Sequence, residues 1–203
     1  MSKPYRIFGY AIVSTDGMIA DSTGLMPNAL IFDSDKEFFE RELDRADIVV
    51  QGRNSYEYQA NSPSRKRLTL TRKVDALAPD ANFSSGFFWN PAGASFEQAC
   101  RALGVEQGTI AILGGPYVYN LFLKDGGFDA FYLCRAANVT LPGGVTVFPQ
   151  VGADCSPEDV LEQFGYEAGP VQTLDEANAV TFVVWTPSAK GASQPREAAE
   201  KSL

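Results

Sequence analysis

The chain contains no histidine. That absence excludes a Ser-His-Asp triad, a Cys-His pair and a His-ligated zinc site. Proton transfer must use Asp, Glu, Tyr, Lys, Cys or water. Hydride transfer stays open, because a bound cofactor carries that chemistry itself. Cysteine is also scarce. Cys100, Cys134 and Cys155 are odd in number and far apart, giving neither a metal spacing nor a disulfide framework. A reducing, cytoplasmic setting is therefore expected. The H-x-E…P-C-x-x-C signature of zinc deaminases is missing. No apolar run approaches a membrane span. Met1-Ser2-Lys3-Pro4 leads into a strand without an apolar signal core. Positive charge is in deficit too: 17 Lys and Arg against 25 Asp and Glu leave a net −8. The basic residues are scattered, which disfavours nucleic acid and acidic membranes as partners but leaves room for a local basic pocket.

What remains is a sequence with a substantial core. Apolar residues make up 45% of 203, which fits one domain with an appended tail. Tyr5 to Ser14 is rich in β-formers and predicts a buried strand, closed by a turn at Thr15-Asp16-Gly17. Met18 to Phe32 predicts a long loop of the functional kind. Asp33 or Ser34 can cap a helix, with Glu37 completing a capping box and Phe38, Phe39, Leu43 and Ala46 as its apolar stripe. Strands are expected at 47–50, 68–71, 87–89, 109–113, 130–139, 160–166 and 180–186. Helices are expected at 54–59, from Ser95 to Leu103, and up to Lys124. Residues 76–85 read as loop, and Pro142-Gly143-Gly144 as a turn. The Ala, Ser, Lys, Glu and Pro of 188–203 read as a disordered tail. Strands alternating with helices imply an α/β sheet with parallel pairs, and the closing strands imply an antiparallel edge.

Gly114-Gly115 sits where a strand meets a helix. Without a Cβ, the backbone there can approach a ligand. The helix N-terminus behind it offers free N–H donors and partial positive charge, suited to phosphate. The alternative is a tight turn that packs the helix onto the sheet. The spacing is neither the dinucleotide fingerprint nor a P-loop.

Four segments, in order, resemble the dihydrofolate reductase-like superfamily. Ser14-Thr15-Asp16-Gly17-Met18-Ile19-Ala20 is similar to a loop of the reductase domain in bifunctional riboflavin-biosynthesis proteins. Val50-Gln51-Gly52-Arg53-Asn54-Ser55-Tyr56-Glu57 resembles the first glycine turn of dihydrofolate reductases. Gly114-Gly115 with Val118-Tyr119 and Phe122-Leu123 resembles their second glycine motif, and Tyr132-Leu133 with Phe148-Pro149 their later strand and F-P pair. The resemblance spans residues 5 to 187. It implies a three-layer α/β fold, with a mixed sheet of about eight strands between flanking helices. It also implies NADPH as cofactor, a small-molecule substrate and a possible homodimer.

The resemblance further implies roles for particular residues. Gly52, Arg53, Ser55, Thr71, Arg72, Gly114, Gly115, Pro116, Tyr117 and Val118 would bind the cofactor, with Arg53 and Arg72 meeting a 2′-phosphate. Asp35 would be the substrate-side carboxylate, with Asp33 as competitor, and Asp16 with Gly17 would lie in the loop that closes on the nicotinamide. Asn28 and Arg65 would face the substrate, and no metal is implied. As a plain reading of the residues, Asp16 is a turn residue, Asp33 and Asp35 are first-turn acids, and Arg53, Arg65 and Arg72 are surface charges. The implied activity is reduction of a small heterocycle, similar to 5-amino-6-(5-phosphoribosylamino)uracil reductase. The alternatives are a dihydrofolate or dihydropterin reductase and a non-catalytic nucleotide-binding module. Two departures weaken a strict dihydrofolate reductase reading. Asn28 follows Met26-Pro27 where those enzymes have tryptophan, and Cys134 stands where they often have threonine.

Overall fold

The computed structural model describes residues 3–55, 61–81 and 83–189. Its strands and helices, in chain order, are β1 (Tyr5–Ser14), β2 (Met18–Ala20), α1 (Asp33–Asp44), β3 (Ile48–Gly52), β4 (Arg67–Leu70), β5 (Leu77–Pro79), β6 (Gly86–Trp89), α2 (Phe96–Ala102), β7 (Gly108–Ile112), α3 (Pro116–Lys124), β8 (Ala130–Ala136), β9 (Val145–Thr146), α4 (Pro157–Gln163), β10 (Tyr166–Ala168), β11 (Gln172–Asp175) and β12 (Val180–Pro187). One sheet runs β10-β12-β8-β1-β7-β3-β4-β6-β5, with β11 also on β12, and β2 pairs with β9 in a separate ribbon. The six strands from β8 to β6 are parallel, and β12, β10 and β5 run antiparallel to their neighbours.

The period-2 alternation of β1 divides its side chains between two layers. Tyr5, Ile7, Ala11 and Val13 join the core beneath α2, α3 and α4. Phe8, Tyr10 and Ile12 face the opposite layer, where Phe38, Phe39 and Leu43 of α1 pack. The sheet thus lies between helices on both faces, as the sequence implies.

Several elements differ from the sequence reading. The large sheet has ten strands rather than about eight. The extra ones are short: β5 lies inside the expected 76–85 loop, and β10 and β11 border β12. The expected Met18–Phe32 loop holds β2 and a 3₁₀ turn at Asn28–Leu30. The expected strand at 160–166 is instead helix α4 followed by β10. Ser156 and Asp159 form a reciprocal capping box there, and Pro157 occupies the first turn. A short apolar run fits either period, and the cap decides for helix. At α1 the expected Ser34–Glu37 box does not form. The helix starts at Asp33 with Phe32 as its cap residue, so Ser34 already lies inside the first turn. The strand expected at 130–139 ends at Ala136. The expected 54–59 helix lies from residue 56, and the tail from residue 190, outside the described residues.

Candidate functional site

Strand register creates a step at the carboxyl edge of the sheet. Gly9 of β1 pairs with Ile112 near the end of β7 and with Phe131 of β8. β7 then stops, whereas β1 and β8 continue side by side to Ser14 and Ala136. At the rise of a strand, these two stand roughly 16 Å taller than the neighbouring half. The shorter half is β7, β3, β4 and β6, and its ends lie at the foot of that wall. Ligands of open α/β sheets bind outside such carboxyl ends.

The foot of the step is built from backbone. The Gly52 N–H at the end of β3 donates to the Gly114 carbonyl after β7, at 2.6 Å. A Cβ on Gly52 would stand 3.4 Å from the Gly115 nitrogen and 3.7 Å from the Ser55 hydroxyl oxygen. Gly114 has φ +89 and its Cβ position would overlap the Tyr119 ring at 2.6 Å, so only glycine suits it. Tyr119 cannot retreat, since it is buried and its hydroxyl donates to the Tyr10 carbonyl. Gly115 differs. Among the described residues, a Cβ there would meet only the Ser55 hydroxyl, at 3.9 Å. Gly115 is also the N-cap residue of α3, and no side chain caps that end. The peptide between the two glycines is cis.

The structure thus brings Gly52, Ser55, Gly114 and Gly115 together. Pro116 opens α3, and Tyr117 is 78% exposed beside it. Val118 departs from its implied role. Its side chain is buried in the core and its N–H donates to the Gly115 carbonyl, so neither faces a ligand. Arg53 and Arg72 are exposed just past the ends of β3 and β4, which are adjacent strands. Thr71 is buried. Its N–H donates to the Trp89 carbonyl, and its hydroxyl oxygen accepts from the Lys73 N–H.

The tall half carries side-chain chemistry. Asp35 lies in the first turn of α1, near enough to Cys134 of β8 for each to affect the other's titration. Burial pushes the Asp35 carboxyl above the ordinary aspartate range, and the Cys134 hydrogen bond offsets this only in part. Burial, then the Asp35 charge and hydrogen bond, push the Cys134 thiol far up, so it stays protonated. Cys134 pairs with Ile12, three residues past Gly9, while Gly115 is three residues past Ile112. Cys134 therefore lies on the part of β8 that runs past the end of β7, and the glycine turn lies at the foot of that part.

Asp16 is held firmly. It accepts from the Ser14 hydroxyl at 2.5 Å and from the Leu141 N–H at 3.0 Å. Burial would raise its pKa, but these two donors outweigh it and hold the carboxylate below its usual range. Arg135, which the sequence did not single out, donates to the Ser14 and Thr15 carbonyls and pairs with Glu158 at 2.5 Å. Alternation along β8 puts Arg135 and Cys134 on opposite faces. That was the available signal, but it needed the register with β1.

Asn28 and Asp33 lie elsewhere, lining an open cavity of about 530 Å³ with Asn138, Asp175 and Asn178. Asp35 is not part of that lining. Arg65 is neither a surface charge nor a group open to substrate. It is buried and ion-paired with Asp44 of α1 at 2.5 Å. No helix among the described residues is long and apolar enough to cross a membrane. No cluster of three or more His, Cys, Asp or Glu residues is placed there for a metal.

No protein-family model matches the chain, and no curated protein does. Solved structures do. A protein from Shewanella sp. PV-4 assigned to riboflavin biosynthesis superposes with a TM-score of 0.62 at 20% identity, covering 90% of this chain and 99% of that one. Dihydrofolate reductase from Enterococcus faecalis, complexed with NADP(H), gives 0.58 at 18% identity over 89% of this chain and 95% of that one. A diaminohydroxyphosphoribosylaminopyrimidine deaminase/5-amino-6-(5-phosphoribosylamino)uracil reductase from Thermotoga maritima gives 0.58 at 16% identity over 90% of this chain, which spans 56% of that longer protein. The chain has the dihydrofolate reductase-like fold, the class that its sequence motifs resemble.

Proposed function

We propose that the chain is an NADPH-dependent reductase of a small heterocyclic substrate, similar to 5-amino-6-(5-phosphoribosylamino)uracil reductase. One observation supports this reading: Gly52, Ser55, Gly114 and Gly115 meet at the carboxyl ends of β3 and β7, where Gly115 stands uncrowded among the described residues at the start of α3. The space before Gly115 suits a phosphate, with the Ser55 hydroxyl and the α3 N-terminus as donors. Arg53 and Arg72 would hold a 2′-phosphate at the ends of the next strands. A bound dinucleotide would supply the hydride. The protein orients the two reactants and excludes water. Asp16 and Arg135 fix the turn after β1 against the segment that follows β8.

A second reading, reduction of a dihydropterin, is favoured by Asp35. A buried carboxyl with raised pKa can hydrogen-bond a ring and pass it a proton. The Arg65–Asp44 pair takes away the cation that would otherwise meet a folate tail or a sugar phosphate. A non-catalytic nucleotide-binding module would need the cradle but no buried acid. NADPH oxidation with dihydrofolate, dihydrobiopterin and the phosphoribosylaminopyrimidine discriminates among the three. Turnover of the last supports the first reading, and turnover of a pterin alone the second. Tight NADPH binding without any turnover supports the module.

A further inference from the structure

The open cavity of about 530 Å³ has the size of a small-molecule pocket. Neither Asp35 nor any residue of the glycine turn lines it. Three segments meet there: the 3₁₀ turn before α1, the chain just after β8, and the β11–β12 hairpin. Each is held by its own hydrogen bonds. The Ile31 N–H donates to the Asn28 carbonyl and the Val139 N–H to the Ala136 carbonyl. In the hairpin, Asp175 accepts from the Asn178 N–H at 3.0 Å and from the Asn178 amide nitrogen at 2.8 Å. Phe32 and Val139 give the cavity apolar surface and pack on the core layer beneath, and Ile31 beside them is exposed.

The polar groups decide what fits. Asn28, Asn138 and Asn178 are primary amides, each with both donors and an acceptor. Among the described residues, no Lys or Arg lines the cavity, and Asp33 and Asp175 do, so an anion finds no counter-charge. Asp175 is turned to its own hairpin. The side chains of Asn28, Asp33 and Asn138 have no hydrogen-bond partner among the described residues. An organic cation would use Asp33 but leave the amide N–H groups unanswered. A hydroxyl donates to a carboxylate and accepts from an amide, so a ring with several hydroxyls uses both. Its C–H face would lie on Ile31 and Phe32.

We propose that this cavity is a second ligand site, for a neutral polyhydroxylated ring of the sugar class. It does not depend on the reductase reading.

The test is a titration of the whole ¹⁵N-labelled chain, read at the side-chain amides of Asn28, Asn138 and Asn178. The probes are D-glucose, D-ribose and myo-inositol, with 1,4-diaminobutane and ribose 5-phosphate as charged counterparts. At least one neutral ring should give saturable shifts, and ribose 5-phosphate none. Asp33→Ala and Asn138→Ala should each weaken that ring by about tenfold, the scale of one hydrogen bond. Ala29→Trp, which adds bulk to the lining without removing a polar group, should abolish binding. Glu106→Ala, exposed and outside the lining, should change nothing. Near-UV circular dichroism checks the folding of each variant. NADPH affinity should be the same in all of them, and if wild type does not bind NADPH the reductase reading falls while the sugar result stands. Saturation by the diamine and by no sugar overturns the proposal. So does the absence of saturation by about 100 mM, two decades weaker than a millimolar ligand. Undiminished binding to folded Ala29→Trp overturns it as well.

Discussion

The two halves of the sheet build their sites from different materials. Where β7 and β3 end, the groups that matter are main-chain: the Gly52 N–H, the Gly114 carbonyl and the uncapped start of α3. On the taller pair, β1 and β8, they are side chains: Asp35 near Cys134, Asp16 on Ser14 and Leu141, Arg135 on the β1 turn. A backbone site is broken by adding atoms. A side-chain site is broken by removing them. Substitutions in the two halves should therefore separate binding from turnover.

The largest effect is expected in the tall half. Asp35→Asn should lower turnover by roughly 10²-fold, the scale of a positioned acid, while NADPH affinity is kept. Partial recovery at low pH, where solvent supplies the proton, is checked by a pH–rate profile. Stability should move the other way. A folded carboxyl with raised pKa binds more protons than the unfolded chain, so stability falls as pH rises from the ordinary aspartate value through the folded one. Asp35→Asn removes that loss, so its melting temperature should exceed wild type at neutral pH and converge with it in acid.

Next come the adjacent glycines, which sharpen the contrast within the backbone half. Gly114→Ala should cost about 1–3 kcal/mol from the left-handed backbone alone, and more from overlap with Tyr119. Gly115→Ala has an ordinary φ of −74 and, among the described residues, no closer neighbour than the Ser55 hydroxyl, so denaturant melts should find its stability close to wild type. Its NADPH affinity should fall.

Arg53→Ala and Arg72→Ala should each weaken NADPH by about tenfold, the low end for a charged hydrogen bond on an exposed side chain. Calorimetry with NADH should show no loss. The smallest effect on turnover is expected at Arg65. Arg65→Ala should leave KM for substrate unchanged and lower stability instead. The hydrogen bond from Arg65 leads in holding the Asp44 carboxylate below its usual range, ahead of the opposing effect of burial and then the hydrogen bond from Asn61. A lowered folded pKa gives stability above the ordinary aspartate value that is lost as pH falls through the folded one. The acid limb of the stability curve should flatten in the variant.

The short half was the more legible in sequence, for a physical reason. Gly52, Ser55, Gly114 and Gly115 are local signals, because a strand end, a missing Cβ and a helix start are each contiguous in the chain. Their meeting needed only that β3 and β7 be parallel neighbours. On the tall half the partners are distant: Asp35 with Cys134, Arg65 with Asp44, Arg135 with Ser14. Asp35 was singled out through the family resemblance, but its nearness to a thiol depends on how α1 crosses β8. Arg65 read as a surface cation because nothing in Ser64-Arg65-Lys66 shows that its side chain is buried against α1. Helix α4 replaces the expected strand although Ser156, Pro157 and Asp159 spell its cap, because the short apolar run after them fits a strand period as well as a helical one.

The most direct test of a dinucleotide site at the foot of the step is titration of NADPH into wild type and Gly115→Val, with a thermal melt of each. Wild type should bind. Gly115→Val should remain folded, since among the described residues only Ser55 stands within 4 Å of the new Cβ, and it should not bind. A folded Gly115→Val that binds NADPH as tightly as wild type would contradict the phosphate cradle.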